Sequence, residues 1–224
     1  MIEPDRGHDF GADWVDVSIE PWHVEQFQTQ GVRVYEVTIP PGGRTTFHRH
    51  TRDTTYVVIA GGRVRSQELR PRRAGLVHRW GMVAAGLGRR WERLPTGVVV
   101  LRAHRRRPLI HQVTAHPANT GDVRLIGVEL PSEHRCSAVL SESATVRREH
   151  PGAPWPVYRV RVDPGGETGV ALPAGGVLVV VDGTASLTLP SHLVTSGQAR
   201  WLGSGTVSIR AHPGRDLDAV VVPA

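Results

Sequence analysis

The sequence predicts an all-β protein made of two tandem β-barrels with little helix, and three observations carry that expectation. Short β-branched runs recur between turn residues, one half of the chain repeats the pattern of the other, and no segment sustains a helical period with caps. The runs span 32–39, 55–60, 97–101, 123–130, 157–162, 177–181, 206–209 and 219–222, and 25 glycines and 17 prolines punctuate them. Strands of this length at regular spacing with turns between them read as a sandwich or barrel.

The repeat is explicit. VYEVTIPPGGRTTFHRHTRDTTYVVIAGG begins at Val34, and VYRVRVDPGGETGVALPAGGVLVVVDG begins at Val157. Each reads as strand, Pro-Gly-Gly turn, short strand, loop, apolar strand and glycine turn. Aligning Pro41-Gly42-Gly43 on Pro164-Gly165-Gly166 brings Gly61 onto Gly183 after one gap. Units of this size imply two similar β-domains packed as a pair. The expected division is an N-terminal strand or arm over 1–31, a first domain over 32–140, a linker over 141–156 ending in PGAPWP, and a second domain over 157–224. The stretch 70–95 has no counterpart in the second half, so it is an insertion. It reads equally as a lid carrying Trp80 and Trp91 or as a surface excursion.

Composition excludes several classes. The single Cys136 allows neither an intramolecular disulfide nor a zinc site built on thiolates. No apolar run approaches the roughly 20 residues that span a bilayer. The acidic, broken opening has no secretory h-region, so the expected compartment is the cytoplasm, with no membrane partner. The formal charge is +6, and every basic residue is arginine. Sparse aromatics and the lack of basic runs interleaved with stacking residues argue against nucleic acid. Clusters such as Arg105-Arg106-Arg107 read as solvated loops, or as a lure for an anionic small molecule.

The chemistry centres on His48-Arg49-His50. In a strand, residues i and i+2 share a face, so two imidazoles can project together into a barrel and suit a first-row transition metal. A lone H-x-H is more often a pair of exposed polar residues. Here Phe47 precedes it, a Pro-Gly-Gly turn leads in, and an apolar strand with Gly-Gly follows. A third ligand must come from another strand, and His111 lies in the strand-like LIHQV.

The stretch GGRTTFHRHTRDTTYVVIAGG resembles the first motif of the cupin superfamily: glycine, a spacer, H-x-H, a few residues, glutamate, six residues, glycine. Gly43, His48, His50 and Gly61 match it, and PLIHQV puts His111 in the place of the second motif's histidine, although the glycine-proline frame around 100–108 is poorly kept. The resemblance covers roughly 30–131 and 155–224. It implies two double-stranded β-helix (jelly-roll) barrels, a bicupin, with a three-histidine metal site in the first. The family's glutamate position is Thr54, a poor metal ligand; Asp53 beside it could supply an oxygen, or simply favour the turn. In the second repeat, GQARWLGSGTVS keeps the motif's frame, but the ligand positions read Ala171, Pro173 and Ser208, so that half holds no metal in the family manner. The remaining histidines, His23 included, read as surface residues, with His104 and His116 the substitutes for His111.

Three neutral imidazoles leave a divalent ion its full charge and open positions. The resemblance implies a non-haem Fe(II) dioxygenase-like enzyme acting on a small anionic or chelating substrate. Zn, Ni, Mn or Cu are the other candidate metals, since affinity order alone does not select one. Two further classes stay open: a metal-dependent isomerase, lyase or cyclase, and a non-catalytic bicupin that binds a small molecule or a metal. A homodimer through sheet edges is compatible with the family.

Overall fold

The computed structural model describes residues 14–71, 82–85, 90–131, 140–188 and 191–224. Twenty strands account for most of them, and the single helical element among the described residues is a 3-10 turn over Val17–Ile19, started by the Asp16 side chain accepting from the Ser18 amide. The first half holds β1 (Val15–Asp16), β2 (His23–Thr29), β3 (Val32–Ile39), β4 (His48–His50), β5 (Thr54–Ala60), β6 (Gly62–Pro71), β7 (Met82–Ala85), β8 (Glu92–Leu94), β9 (Val99–Arg102), β10 (Leu109–Ala115) and β11 (Val123–Glu129). The second half holds β12 (Val146–Glu149), β13 (Val157–Val162), β14 (Glu167–Leu172), β15 (Gly176–Asp182), β16 (Thr184–Thr188), β17 (Ser191–Thr195), β18 (Ala199–Leu202), β19 (Gly205–Ala211) and β20 (Leu217–Pro223).

The two halves share one topology. Sheet order β2-β3-β11-β5-β9 in the first matches β12-β13-β20-β15-β18 in the second, and β4-β10-β6 matches β14-β19-β16. Each half is therefore two sheets facing each other, a barrel of the jelly-roll kind. The Pro-Gly-Gly turns superpose in detail. Gly42 and Gly165 take φ of +77° and +71°, which a side chain disfavours, and the following amides of Gly43 and Gly166 donate to Pro40 O and Asp163 O at 2.8 and 2.9 Å. β12 lies inside the stretch expected as a linker. It pairs with β13 and, like β2, forms the outer strand of its sheet, so the second barrel begins before 157. Its sequence, VRRE, buries only Val146 fully, which leaves little alternation to read. In the insertion, β6 pairs with β7 and β8; 72–81 and 86–89, with Trp80, fall outside the described residues. Trp91 packs edge-on to His116 with Arg65 over its ring.

The five-stranded sheets of the two barrels pack against each other. Val34, Val57, Ile126 and Val128 of the first meet Val157, Val177, Val179, Val220 and Val222 of the second in one buried cluster. Each fully buried valine of this kind stabilises the assembly by about 1.5–3 kcal/mol. That explains why these strands read as near-continuous apolar runs: one face fills a barrel and the other meets the neighbouring barrel. Trp155, from PGAPWP, lies in the same cluster and donates its Nε1–H to Thr55 Oγ1 at 2.9 Å. Arg159 donates to Gly97 O at 2.9 Å across the same junction.

Candidate metal centre

The interiors of the two barrels differ. Positions that face inward from β4 and β10 carry His48, His50 and His111, because β4 pairs with β10 in the register His48↔His111 and His50↔Leu109. Register partners share a face, so the strand period that suggested an inward H-x-H also brings His111 beside it. Ring centroids lie 4.8 Å apart for His48–His50, 4.6 Å for His48–His111 and 5.1 Å for His50–His111.

Two more histidines join them. His23, at the start of β2, is 4.5 Å from His48 and 5.9 Å from His50, centroid to centroid. Ring nitrogens of His23, His48 and His50 lie within 4.8 Å of one another, and the His111 ring packs against His48 and His50. His104 stacks on His50 at 4.9 Å and 19° from the turn after β9. The expectation that His23 lies on the surface is corrected: it is 9 % exposed, while Val24 beside it is 63 % exposed.

Each ring of the inner four is held by its Nδ1. The His23 Nδ1–H donates to the Glu20 carboxylate at 2.6 Å, and that of His48 to Thr46 O at 2.9 Å. Since carboxylate and carbonyl only accept, both rings carry a proton at Nδ1, which turns Nε2 toward the interior of the cluster. His111 Nδ1 lies 3.0 Å from Ser66 Oγ, and His50 Nδ1 lies 3.3 Å from the Tyr56 hydroxyl, which receives the Tyr35 hydroxyl in turn. Tyr35 reaches that position by lying on Gly127, where a Cβ would stand 2.4 Å from its ring.

Burial governs protonation. It lowers His48 to about 4, with the neighbouring His23 ring adding to the effect, and lowers His104 to about 4 with help from Arg102. His50 and His111 are driven well below the ordinary histidine value, by burial first and then by the surrounding rings. Burial alone would raise the Glu20 carboxyl; the hydrogen bond and charge of His23, with the amides of Thr46 and Trp22, outweigh it and hold Glu20 below the usual range. At neutral pH His48, His50, His104 and His111 are neutral, the form that ligates metals.

The donor set fits a divalent transition metal. The Nε2 atoms of His48, His50 and His104 are buried and have no hydrogen-bond partner among the described residues. Leaving such a group unpaired costs about 1–3 kcal/mol, and a cation held between the rings gives the lone pairs a partner. The histidine cluster can therefore hold a metal ion. It opens on a cavity of about 480 Å³, with Arg102, Arg107, Glu68 and Glu92 among its polar walls and Val37, Val64, Leu94 and Leu125 among its apolar ones. That volume suits a small molecule.

Neither oxygen candidate faces the cavity. Thr54 is fully buried and its hydroxyl donates to Arg52 O at 2.9 Å. Asp53 accepts from the Arg105 amide at 2.9 Å and so braces the turn that carries His104. A carboxylate that does reach the rings is Glu20, placed behind His23. The sequence contains a signal for it, an acid three residues before a histidine, but in an isolated Pro-Trp turn nothing marks that pair as buried.

In the second barrel the counterparts are apolar. Gly43 O accepts from the Ala115 amide as Gly166 O accepts from Ala211, at 2.9 and 3.0 Å, which makes Val207 the equivalent of His111. Val207 pairs with Val170 and Gly205 with Leu172, so Val170 and Leu172 stand where His48 and His50 stand. These replace the expected Ala171, Pro173 and Ser208. For the first two the offset arises because Arg44 bridges Thr114 while His48 pairs with His111, which puts one extra residue in the strand of His48; an ungapped alignment of the turns misses it. None of these positions offers a metal ligand, and Val170, Leu172, Val207 and Ile209 all lie in the buried core of that half.

No family model and no curated protein sequence matches the chain. Solved structures match its fold along most of its length. Salicylate 1,2-dioxygenase from Pseudaminobacter salicylatoxidans superposes with a TM-score of 0.57 at 10% identity, covering 89% of this chain and 75% of that one. Oxalate decarboxylase from Lactobacillus farciminis, as a formate complex, gives 0.56 at 12% identity over 98% and 83%. The 7S globulin of Momordica charantia gives 0.53 at 9% over 91% and 82%. At such identities the likeness concerns architecture, and with the shared strand order of the two halves it means that this chain has the bicupin fold, two cupin barrels in tandem.

Proposed function

We propose that the chain is a metal-dependent cupin enzyme, a non-haem Fe(II) dioxygenase-like oxidoreductase acting on a small anionic or chelating substrate. The observation that carries the reading is a buried cluster of neutral histidines opening on a cavity whose mouth bears Arg102 and Arg107. His48, His50 and His111 would hold the ion through Nε2, their Nδ1 atoms being held by Thr46, Tyr56 and Ser66. When bound, Fe(II) supplies the electron chemistry that lets O2 react with an organic anion. The residues of the chain do the rest. Arg102 and Arg107 attract and orient a carboxylate. The apolar wall receives the body of the substrate and excludes water. His104, neutral and stacked on His50, offers its Nε2 to whatever fills the cavity.

A second reading, a lyase or isomerase using Zn, Ni or Mn without O2, draws support from the fold likeness to an oxalate decarboxylase. One experiment addresses both. The protein is reconstituted anaerobically with Fe(II), then given O2 and a panel of small hydroxy-, thiol- and dicarboxylates while O2 uptake and CO2 release are followed. The expected result is O2 uptake with at least one compound, lost in His50→Ala. CO2 release without O2 uptake would replace the first reading with the second. Failure to bind any divalent metal would overturn both.

A further inference from the structure

Between Trp14 and His23 the chain makes a short arm against the first barrel, and its contacts converge on the histidine cluster. β1 runs parallel to β4, with Val15 opposite His48 and Asp16 opposite Arg49, and the Val15 amide donates to Phe47 O at 2.9 Å. Two residues of parallel pairing are a weak attachment by themselves. The stronger attachment is Glu20, 2 % exposed, which accepts four hydrogen bonds. One carboxylate oxygen takes the Thr46 amide at 3.0 Å and the Thr46 hydroxyl at 3.2 Å; the other takes the Trp22 amide at 2.8 Å and the His23 Nδ1–H at 2.6 Å. Thr46 O then accepts the His48 Nδ1–H. A single carboxylate thus sets two rings at once, His23 directly and His48 through Thr46. With Nδ1 engaged, His23 has its Nε2 free to face the same space as those of His48 and His50.

We propose that His23 is a further ligand to the ion held by His48, His50 and His111, that Glu20 is the positioning carboxylate for His23 and His48, and that metal binding thereby clamps the arm 14–23 onto the barrel. This rests on the metal reading above. The arrangement places a histidine from the arm at the metal and keeps a negative charge one ring away from it. A carboxylate behind a ligating histidine fixes its tautomer and raises its basicity, and losing such a partner weakens metal affinity by about 10–100-fold.

The test uses the full chain and Co(II) alone as probe, read by visible ligand-field absorption, by competition affinity and by the imidazole count from X-ray absorption. Thermal unfolding of each metal-free variant checks that it folds. The expected count is four imidazoles in the wild type and three in His23→Ala, with a changed ligand-field spectrum and affinity reduced at least about tenfold. Glu20→Gln is the second variant. Its amide nitrogen must face either the Thr46 or the Trp22 and His23 donors, so affinity falls by about 10–100-fold while the cavity keeps its shape. Hydrogen exchange at 14–23 slows on Co(II) addition in the wild type and does not in His23→Ala, a response that a merely structural histidine would not give. An unchanged spectrum, count and affinity in His23→Ala would overturn the inference and leave the metal site intact. Absence of Co(II) binding in the wild type would overturn the metal site and this inference with it.

Discussion

The two barrels of this chain repeat one strand order and differ in what fills them. In the second, nineteen buried apolar residues close the interior, including Val170, Leu172, Val207 and Ile209. Among the described residues of the first, the buried apolar cluster is Val17, Tyr35, Val37, Ile39, Val64, Ala115 and Val123, and the histidines lie beside a cavity. Frame and lining are therefore separable. Turn glycines and β-branched strands fix the frame in both halves, and inward positions on β4 and β10, or β14 and β19, decide whether a barrel is a site or a core. The filled barrel also braces the hollow one, since the shared valine cluster lets the first carry unpaired polar atoms that a lone barrel of its size would hold less well.

The largest expected effect tests the lining directly. His48→Ala with His50→Ala removes the two rings of which every close histidine pair in the cluster contains at least one, and metal analysis is expected to show complete loss of bound ion with the fold retained. Next come paired truncations in the two barrels. Ile209→Ala in the filled barrel leaves a void and is expected to cost about 2–5 kcal/mol by denaturant unfolding, whereas Leu109→Ala, on the cavity wall, should cost roughly 1 kcal/mol or less. Equal costs would mean that the first barrel is as tightly filled as the second.

Acid separates the barrels further. In the metal-free protein the folded rings of His48 and His104 resist protonation until about pH 4, while the unfolded rings take protons near 6.5. The unfolded state therefore binds more protons in that window, and stability present above about pH 6.5 is lost as pH falls toward 4, at about 1.4 kcal/mol for each ring over each pH unit. His50 and His111 act in the same direction. The unfolding midpoint of the metal-free protein should fall steeply between pH 6.5 and 4.5, and less steeply in His104→Ala. The smallest effect concerns the rim. Arg107→Ala should raise KM or Kd for an anionic ligand about tenfold, the worth of about 1.4 kcal/mol, while Arg210→Ala, outside the second barrel, should leave it unchanged.

The frame was legible because β3 and β13 are both rich in β-branched residues and carry closely similar sequences, and because both Pro-Gly-Gly turns need their second residue at positive φ. Less of it was legible where strands expose both faces: β12, and β2 with its single fully buried residue. For the site, the period of two placed His48 and His50 on one face, and LIHQV supplied His111. His23 was missed because its strand inverts the usual pattern, with the apolar Val24 outside and the imidazole inside. Glu20 was missed because nothing local to a turn reveals that a carboxylate will be buried against Thr46, twenty-six residues away. His104 sits before Arg105-Arg106-Arg107, a run that reads as solvent-facing, yet in the turn that Asp53 braces at the Arg105 amide its side chain is buried.

On the function proposed above, one half of this chain holds a metal ion and the other is a filled core. Metal analysis of the wild-type protein after saturation with Fe(II) or Co(II) and removal of excess tests it most directly. The expected result is one ion per chain, retained when Val170 or Val207 is changed to alanine and lost when His48 and His50 are. No bound ion, or an ion that survives the loss of both histidines, would contradict it.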